Sequence, residues 1–232
     1  MKKTLLISAL ALTTGFTQLA SANEHAAPQA QAWTLQQWHQ TQNNIPNGNI
    51  SKGAELHKQA LCMTCHGENG VAPSRNAPSL AGNNIDYTFK TLKDYQSGLR
   101  NEGHGKSAVM IAAAQSLTQQ DMADLAYFYA EQTLQSKAPA QALSSSTERL
   151  VRKGDVKRMI TPCASCHGVH GEGNEITPAL AGQTAHYFIR TMKAYKIKHR
   201  TNDINQGMGQ FTHDLTDEEI HALADYYASL SK

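Results

Sequence analysis

Cys62-Met-Thr-Cys65-His66 and Cys163-Ala-Ser-Cys166-His167 are two copies of the pattern Cys-x-x-Cys-His, and together they use all four cysteines of the chain. The pattern is typical of covalent c-type haem attachment, in which both thiols bond to the porphyrin and the histidine binds the iron from one side. Because no cysteine is left over, the two copies predict two covalently bound haem c groups, each with its own iron.

Other uses of paired cysteines fit this chain less well. Zinc ribbons usually place their two Cys-x-x-Cys pairs about 15–20 residues apart, whereas these pairs lie in different halves of the chain. A thioredoxin-type redox pair needs a strand–helix–strand context, and no alternating strand pattern is convincing here. Structural disulfides suit an exported protein, but they give no reason for a histidine after each second cysteine.

The N-terminal segment has the three parts of a secretory signal peptide. A positive start at Lys2 and Lys3 precedes the apolar stretch 5–19 and the small-residue site Ala20-Ser21-Ala22. The apolar stretch is shorter than the roughly 20 residues that span a bilayer, which favours cleavage after Ala22 over a permanent anchor. We therefore expect a periplasmic protein with no transmembrane span in the mature chain.

The charge balance argues against nucleic-acid binding. The chain has 21 Lys and Arg against 19 Asp and Glu, and removal of Lys2 and Lys3 with the signal peptide would make the counts equal. Proteins that bind nucleic acid usually need a broad basic excess. A local basic cluster precedes the second motif and is either a solvated helix face or a guide for an acidic partner. It consists of Arg149, Arg152, Lys153, Lys157 and Arg158.

The chain repeats itself beyond the two motifs. Pro78 lies in Ala77-Pro-Ser-Leu-Ala-Gly82, and Pro178 lies in the matching Thr177-Pro-Ala-Leu-Ala-Gly182. The long period indicates duplication of a small domain rather than a solenoid. We predict a signal peptide over 1–22, an N-terminal extension over 23–47, a first domain over 48–135, a linker over 136–146 and a second domain over 147–232.

Within each copy the hydrophobic pattern is helical. Helices are predicted over 51–61, 86–99 and 118–133 in the first copy, and over 147–160, 185–198 and 216–230 in the second. Thr216 with Glu219, and Thr118 with Asp121, are candidate capping boxes at the start of the last helix of each copy. The predicted fold is all-α, with at least three helices around each haem.

The N-terminal extension has no counterpart in the second copy. Trp33, Leu35 and Trp38 are expected to form a short amphipathic turn within it. The segment is a solvated tail, a strap packed on the first domain, or a segment that docks a partner.

A second axial ligand for each iron must come from elsewhere in the chain. Methionine is the leading candidate, because its thioether raises the reduction potential. Met110 and Met208 lie in the loops predicted before the last helix of each copy, in the same register relative to Leu117 and Leu215. Histidines are the alternative ligands, although none recurs at a matched position. They are His104, His186, His199 and His213.

Further residues are candidates to support the haems. A haem-binding imidazole usually donates its other N–H to a nearby acceptor, and the carbonyl oxygens of Pro78 and Pro178 suit that role; the alternative is a plain turn. Four residues at or just beyond the ends of the middle helices are either contacts of the haem propionates or ordinary helix-end surface residues. They are Tyr95, Arg100, Tyr195 and Arg200.

Each half resembles a class I cytochrome c in the order of its features. Gly53 or Gly154 in the first helix is followed by the attachment motif, the Pro-x-Leu-Ala-Gly turn, and a methionine before a C-terminal helix rich in Ala and Tyr. Two such halves in one exported chain resemble the di-haem cytochrome c4 family, over about residues 48–232. The resemblance implies two tandem class I domains related by a pseudo-two-fold axis, with haems close enough to exchange electrons.

The resemblance also implies ligands and partners. It implies Met110 and Met208 as sixth ligands, and the carbonyl groups of Pro78 and Pro178 as hydrogen-bond partners of His66 and His167. Redox proteins are the expected partners: a quinol-oxidising complex or a dehydrogenase as donor, and a terminal oxidase or reductase, in some cases membrane-bound, as acceptor. The extension over 23–47 departs from the usual compact start of the family.

Three functions agree with these features. The leading hypothesis is an electron carrier without substrate chemistry, which binds, shields and tunes two six-coordinate irons. The second is a dedicated electron-transfer subunit of one oxidoreductase. The third is a di-haem enzyme such as a peroxidase, which needs one open iron and a distal acid–base group; the matched methionines disfavour it.

Overall fold

The computed structural model describes residues 31–102, 105, 107–134 and 144–231. Within these residues the chain forms helices and isolated bridges but no strand, which confirms the predicted all-α fold. None of the helices in these ranges is long and apolar enough to cross a bilayer. The predicted signal peptide, residues 23–30 of the extension, His104 and most of the predicted linker lie outside the described residues.

Each half contains five α-helices, and one further helix, α1 (Leu35–Gln42), precedes them in the described chain. The first half consists of α2 (Ile50–Gln59), α3 (Met63–His66), α4 (Ile85–Gln96), α5 (Ala108–Gln115) and α6 (Gln119–Ala130). The second half consists of α7 (Ser145–Arg152), α8 (Ala164–His167), α9 (Ala185–Lys196), α10 (Gly207–Thr212) and α11 (Asp217–Ser229).

The last helix of each half begins with the predicted capping box. In α6 the Thr118 hydroxyl accepts from the Asp121 N–H while the Asp121 carboxylate accepts from the Thr118 N–H. Thr216 and Glu219 exchange the same pair of bonds at α11. Both helices then bury their apolar faces, with Met122 and Ile220 fully excluded from solvent. Each half therefore has its own hydrophobic core beneath its last helix.

A glycine allows the first and last helices of the first half to pack closely. A Cβ atom placed on Gly53 would lie 2.1 Å from the Asp124 carbonyl oxygen on α6. Backbone atoms cannot move aside as a flexible side chain can, so only glycine fits at this crossing. The close approach brings α2, and the motif that follows it, against α6.

The second half does not repeat this arrangement, and the helix predicted over 147–160 is wrong beyond Arg152. Helix α7 ends there, and Gly154 lies outside it with φ +68° while its N–H bonds to the Arg149 carbonyl. A glycine in the left-handed region after a helix is a common helix terminator. Gly154 is therefore not the structural equivalent of Gly53. At its other end α7 takes in Ser145 and Ser146, which had been assigned to the linker.

Reciprocal hydrogen bonds join the two halves. Gln183 accepts from the Ser79 N–H at 3.1 Å and donates to the Ser79 carbonyl at 3.0 Å. At the related positions Asn83 accepts from the Ala179 N–H at 3.1 Å. Exchange of the same contacts in both directions is the signature of a two-fold relation, as the pseudo-two-fold prediction requires.

The segment 33–42 packs across both halves. Thr34 and Gln37 form a capping box at the start of α1, and Trp38 is fully buried. The Trp33 carbonyl accepts from the Asn205 N–H of the second half at 3.0 Å, and Gln42 donates to Asp86 of the first half at 2.6 Å. The expected amphipathic turn is thus a capped helix, and the segment is a strap over both halves rather than over the first alone.

Candidate haem sites

Each attachment motif forms a single helical turn that presents its side chains together. Helix α3 begins after Cys62 and ends at His66, and α8 occupies the same part of the second motif. All four thiols are free, and Cys65 and Cys166 are exposed. The two histidines, by contrast, are buried. The motif therefore offers accessible sulfur atoms beside an imidazole that is held within the protein.

The buried histidines are held by the two proline carbonyls. His66 Nδ1 donates to the Pro78 carbonyl at 2.9 Å, and His167 Nδ1 donates to the Pro178 carbonyl at 3.0 Å. A carbonyl can only accept, so Nδ1 carries the proton and Nε2 keeps its lone pair. Burial lowers the pKa of His66 and of His167, and outweighs the opposing effect of each carbonyl. Both rings are thus neutral and have Nε2 available for a metal.

Met110 and Met208 occupy short helices rather than the predicted loops. Met110 lies in α5, which packs on α4, and Met208 lies in α10, which packs on α9. Each side chain is partly buried against the core of its own half. Asp203 accepts from the Met208 N–H at 2.6 Å and fixes the start of α10.

The three alternative histidines that the structure describes lie on the surface. His186, His199 and His213 are exposed, and His213 bonds to the adjacent Asp214. An exposed side chain is a poor candidate for a buried axial bond.

The donor set agrees with the chemistry of haem c. Each half supplies two free thiols for the porphyrin, a neutral imidazole whose orientation is fixed by a carbonyl, and a partly buried thioether. Thiolate, imidazole and thioether groups are the ligands that c-type haems use. The residues present therefore fit the group that the motifs predict.

The four candidate propionate contacts are buried at the junction of the halves, so the helix-end surface interpretation is wrong. Arg100 and Arg200 are each 3% exposed. Each guanidinium lies 4.6 Å from the ring centroid of a tyrosine in its own half, Tyr95 for Arg100 and Tyr195 for Arg200. Burial raises the pKa of both hydroxyls, so both tyrosines are neutral and available as donors.

Each arginine also reaches the opposite half. Arg100 Nη2 donates to the Tyr187 hydroxyl at 2.9 Å, and Arg200 Nη2 donates to the Tyr87 hydroxyl at 3.3 Å. Sequence reasoning found the four residues as repeats but did not pair them across the halves. The pairing depends on how the halves dock, which no local pattern encodes.

Glu102 is a further residue of this cluster that sequence reasoning missed. Its Oε1 accepts from Arg100 at 2.7 and 2.9 Å and lies 3.8 Å from Arg200 Nη1. Burial raises the pKa of Glu102, but the two guanidinium groups outweigh it and hold the pKa below its usual range. The second half has Asn202 at the related position, where it accepts from Arg200 Nε at 2.9 Å. The two cations thus share one carboxylate, which leaves a net positive charge available to an anion.

His57 forms hydrogen bonds next to the first attachment motif. The fully buried ring donates from Nε2 to the Gly67 carbonyl at 2.9 Å, and its Nδ1 accepts from the Tyr129 hydroxyl at 2.8 Å. Gly67 directly follows His66, so His57 fixes the backbone next to the haem histidine. Among the described residues of the second half no histidine makes such a contact, and the related Tyr227 hydroxyl is buried beside the Cys163 sulfur, a weak acceptor.

Comparison with known proteins agrees with this geometry. A family model described as cytochrome c matches residues 50–131 and 155–231. A cytochrome c4 of Stutzerimonas stutzeri is 32% identical over 183 residues, which cover 75% of this chain and 86% of that relative. The chain belongs to the cytochrome c4 family. As a cytochrome c4 it carries two covalent haem c groups, one at each Cys-x-x-Cys-His motif.

Two further similarities extend over both halves of this cytochrome c4. The crystal structure of reduced recombinant cytochrome c4 from Pseudomonas stutzeri superposes with a TM-score of 0.70 at 30% identity, and covers 79% of this chain and 99% of that one. A protein named thiosulfate dehydrogenase electron acceptor, from Stutzerimonas stutzeri, is 32% identical over 181 residues, which cover 74% of this chain and 79% of that relative. The matched fold thus extends over both halves.

Proposed function

We propose that this cytochrome c4 is a periplasmic electron carrier that accepts electrons from a quinol-oxidising complex or a dehydrogenase and delivers them to a terminal oxidase or reductase. The observation that carries the proposal is the matched set of donors in each half. Each half offers a histidine fixed by a proline carbonyl and a methionine in a short helix, and two such protein ligands would leave no iron position open for substrate chemistry.

Each residue of the set has a role in the proposal. His66 and His167 would hold the iron through Nε2, and Met110 and Met208 would each supply a thioether as the second protein ligand. The haem supplies a metal centre that gains or loses one electron, and the protein shields and tunes it. The carbonyl groups of Pro78 and Pro178 fix the imidazoles and raise their basicity.

The buried arginines have the charge and donors to hold the propionates. Where the halves join, two guanidinium groups share the Glu102 carboxylate among the described residues, and arginine pairs strongly with carboxylates. Tyr95 and Tyr195 lie against the same guanidinium groups. In this proposal the cluster of Arg100, Arg200 and Glu102, at the junction of the halves, would hold the haem propionates through its two guanidinium groups.

Spectroscopy and carbon monoxide binding test the absence of substrate chemistry. We expect the oxidised protein to show the long-wavelength charge-transfer band of an iron–thioether bond, and the reduced protein to bind no carbon monoxide. Met110→Ala and Met208→Ala should each remove half of that band and create one site for carbon monoxide. Stoichiometric binding to the unaltered reduced protein would contradict the proposal and favour an enzyme with an open iron.

A dedicated role with one oxidoreductase is the second candidate. It is favoured by the relative named thiosulfate dehydrogenase electron acceptor, which matches most of this chain. The haem chemistry is the same in both cases, so only the partner distinguishes them. Purification of the native protein in a stable complex with a single dehydrogenase would favour the dedicated role over a diffusible carrier.

A further inference from the structure

The second half carries a rigid projecting turn that the first half lacks. After α7 ends at Arg152, residues 153–160 fold back on themselves, because Asp155 and Ile160 exchange two backbone hydrogen bonds of 2.8 and 2.9 Å. The Arg158 guanidinium anchors the turn, with bonds of 2.7 and 2.9 Å to the Glu219 carboxylate on α11. The turn is therefore fixed in place on the folded domain.

Two large apolar side chains project from this turn. Val156 is 87% exposed and Met159 is 81% exposed, the highest values among large apolar side chains in the described part of the chain. Met159 also has φ +57°, a left-handed conformation that costs a residue with a Cβ about 1–2 kcal/mol. Neither the exposure nor the conformation stabilises the fold, so these residues are better explained by contact with another molecule.

Positive charge surrounds the apolar pair. A surface cavity of about 730 Å³ lies between α7 and the turn. Four cations and two carboxylates line it. They are Arg149, Arg152, Lys153, Lys157, Glu148 and Asp155.

Both carboxylates of this cavity form ion pairs with arginine, and Asp155 shares its partner Arg158 with Glu219. Glu148 lies 3.4 Å from Arg152, and Asp155 lies 2.9 Å from Arg158. Within the ranges that the structure describes, Arg149, Lys153 and Lys157 form no ion pair and point their charges to solvent. The surface is thus an apolar centre with unneutralised positive charge around it.

This surface adjoins the second haem attachment site. The Cys163 N–H bonds to the Leu150 carbonyl of α7 at 3.4 Å, and Ile160 at the base of the turn is part of the core against which Cys163 packs. A protein seated on the turn would therefore lie next to the segment that carries the second haem. The equivalent face of the first half carries fewer cations, Lys52 and Lys58 with Glu55 between them, and its exposed large apolar residues are Ile50 at 44% and Leu61 at 70%.

We propose that the turn 153–160 and the exposed face of α7, here called the basic turn surface, dock an acidic electron-transfer protein at the second half. The proposal rests on the function proposed above and adds where the partner binds and what its surface is like. Complementary charge steers the encounter, and the effect is largest at low salt. Val156 and Met159 then supply the apolar contact at the centre of the interface.

The experiment uses the full di-haem protein and a small acidic [2Fe–2S] ferredoxin as a surrogate donor, with second-order reduction rates followed by stopped flow. We expect Lys153→Glu/Lys157→Glu to lower the rate at low ionic strength at least ~10-fold and to flatten its salt dependence. Val156→Ser/Met159→Ser should lower the rate several-fold and leave the salt dependence unchanged. The matched control Lys52→Glu/Lys58→Glu, on the first half, should change the rate less than ~2-fold.

Further readouts separate the possible outcomes. Reduction potentials and haem spectra should be the same in all variants, which shows that folding and the irons are intact. Equal losses in the control pair, or no loss in either surface variant, would overturn the proposal. Binding to phosphatidylglycerol vesicles that depends on Lys153 and Lys157, with an unchanged ferredoxin rate, would assign the surface to a membrane and overturn it as well. Failure of the proposed function would be seen separately, as carbon monoxide binding to the unaltered protein.

Discussion

Trp33 donates from its indole nitrogen to a carboxylate oxygen of Asp94 at 2.5 Å. The other Asp94 oxygen accepts from Lys90 at 2.6 Å and from Asn202 of the second half at 2.5 Å. Asp94 is fully buried, so one carboxylate joins the N-terminal strap and both halves of the protein.

This junction predicts the effect of a substitution in the strap. Trp33→Phe keeps a large ring but removes the donor, which leaves a buried carboxylate oxygen without a partner. We expect the free energy of unfolding to fall by about 1–3 kcal/mol, measured by urea denaturation of the haem-loaded protein. Gln36→Ala, at an exposed position on α1, is the control and should change stability by less than about 0.5 kcal/mol. Equal effects of the two changes would mean that the indole bond contributes nothing.

Glu102 predicts a pH-dependent contribution to stability. Its pKa is lowered in the folded protein, so its contribution is fully present above the ordinary glutamate pKa and is lost as the pH falls through the lowered value. Glu102→Gln leaves two buried guanidinium groups without their carboxylate and should cost about 3 kcal/mol at neutral pH. The difference from the unaltered protein should shrink as the pH falls below about 4.5.

An exposed ion pair provides the control for the Glu102→Gln substitution. Glu148 and Arg152 lie 3.4 Å apart and are both about half exposed, so Glu148→Gln should cost less than about 1 kcal/mol at any pH. Denaturation curves collected from acidic to neutral pH for both variants test the prediction. A Glu102→Gln penalty that does not change with pH would contradict it.

At the crossing of α2 and α6, position 53 should not accept a side chain larger than that of glycine without loss of stability. Gly53→Ala would place a methyl group 2.1 Å from the Asp124 carbonyl, so the helices must separate, at a cost of about 3 kcal/mol. Gly98 has φ +74° but no atom within 4 Å of an added Cβ, so Gly98→Ala should cost only about 1–2 kcal/mol of backbone strain. Thermal unfolding of both variants gives the comparison, and a smaller loss at Gly53 would show that the helices yield easily.

Two related tyrosines should respond differently to loss of the hydroxyl. The Tyr129 hydroxyl donates to His57, whereas the Tyr227 hydroxyl has no strong partner among the described residues. Tyr129→Phe should therefore cost about 1–2 kcal/mol, and Tyr227→Phe should be neutral or slightly stabilising. Urea denaturation of the two variants checks this, and similar losses at both positions would contradict it.

The parts of the structure that sequence predicted are those determined by local pattern. The attachment motifs and the capping boxes at Thr118 and Thr216 each depend on a few neighbouring residues. The prediction failed where residues at the same position relative to the motif have different structural roles in the two halves. Gly53 and Gly154 precede their motifs at the same spacing, yet one allows helix packing and the other ends a helix.

The remaining differences arise from docking between distant parts of the chain. The pairing of Arg100 with Tyr187 joins residues whose proximity depends on the whole interface. The short helix around Met110 was read as a loop, although its run of alanines favours a helix. The proline–histidine contacts are predicted by the matched Pro-x-Leu-Ala-Gly segments, and the structure places His66 Nδ1 2.9 Å from the Pro78 carbonyl and His167 Nδ1 3.0 Å from the Pro178 carbonyl.

The strap, residues 33–42, also constrains the order in which the parts of the chain fold. Trp33 leaves the ribosome early, but its carbonyl bonds to Asn205, near the other end of the chain. Contacts between such distant residues form late, because the intervening chain must fold first. The strap can therefore close only after the second half is in place, and because α1 also contacts the second half around Ile204–Gln206, we expect Trp38 to be fully buried only then. Burial of this tryptophan would report completion of the whole molecule, and its fluorescence would follow the final step of assembly.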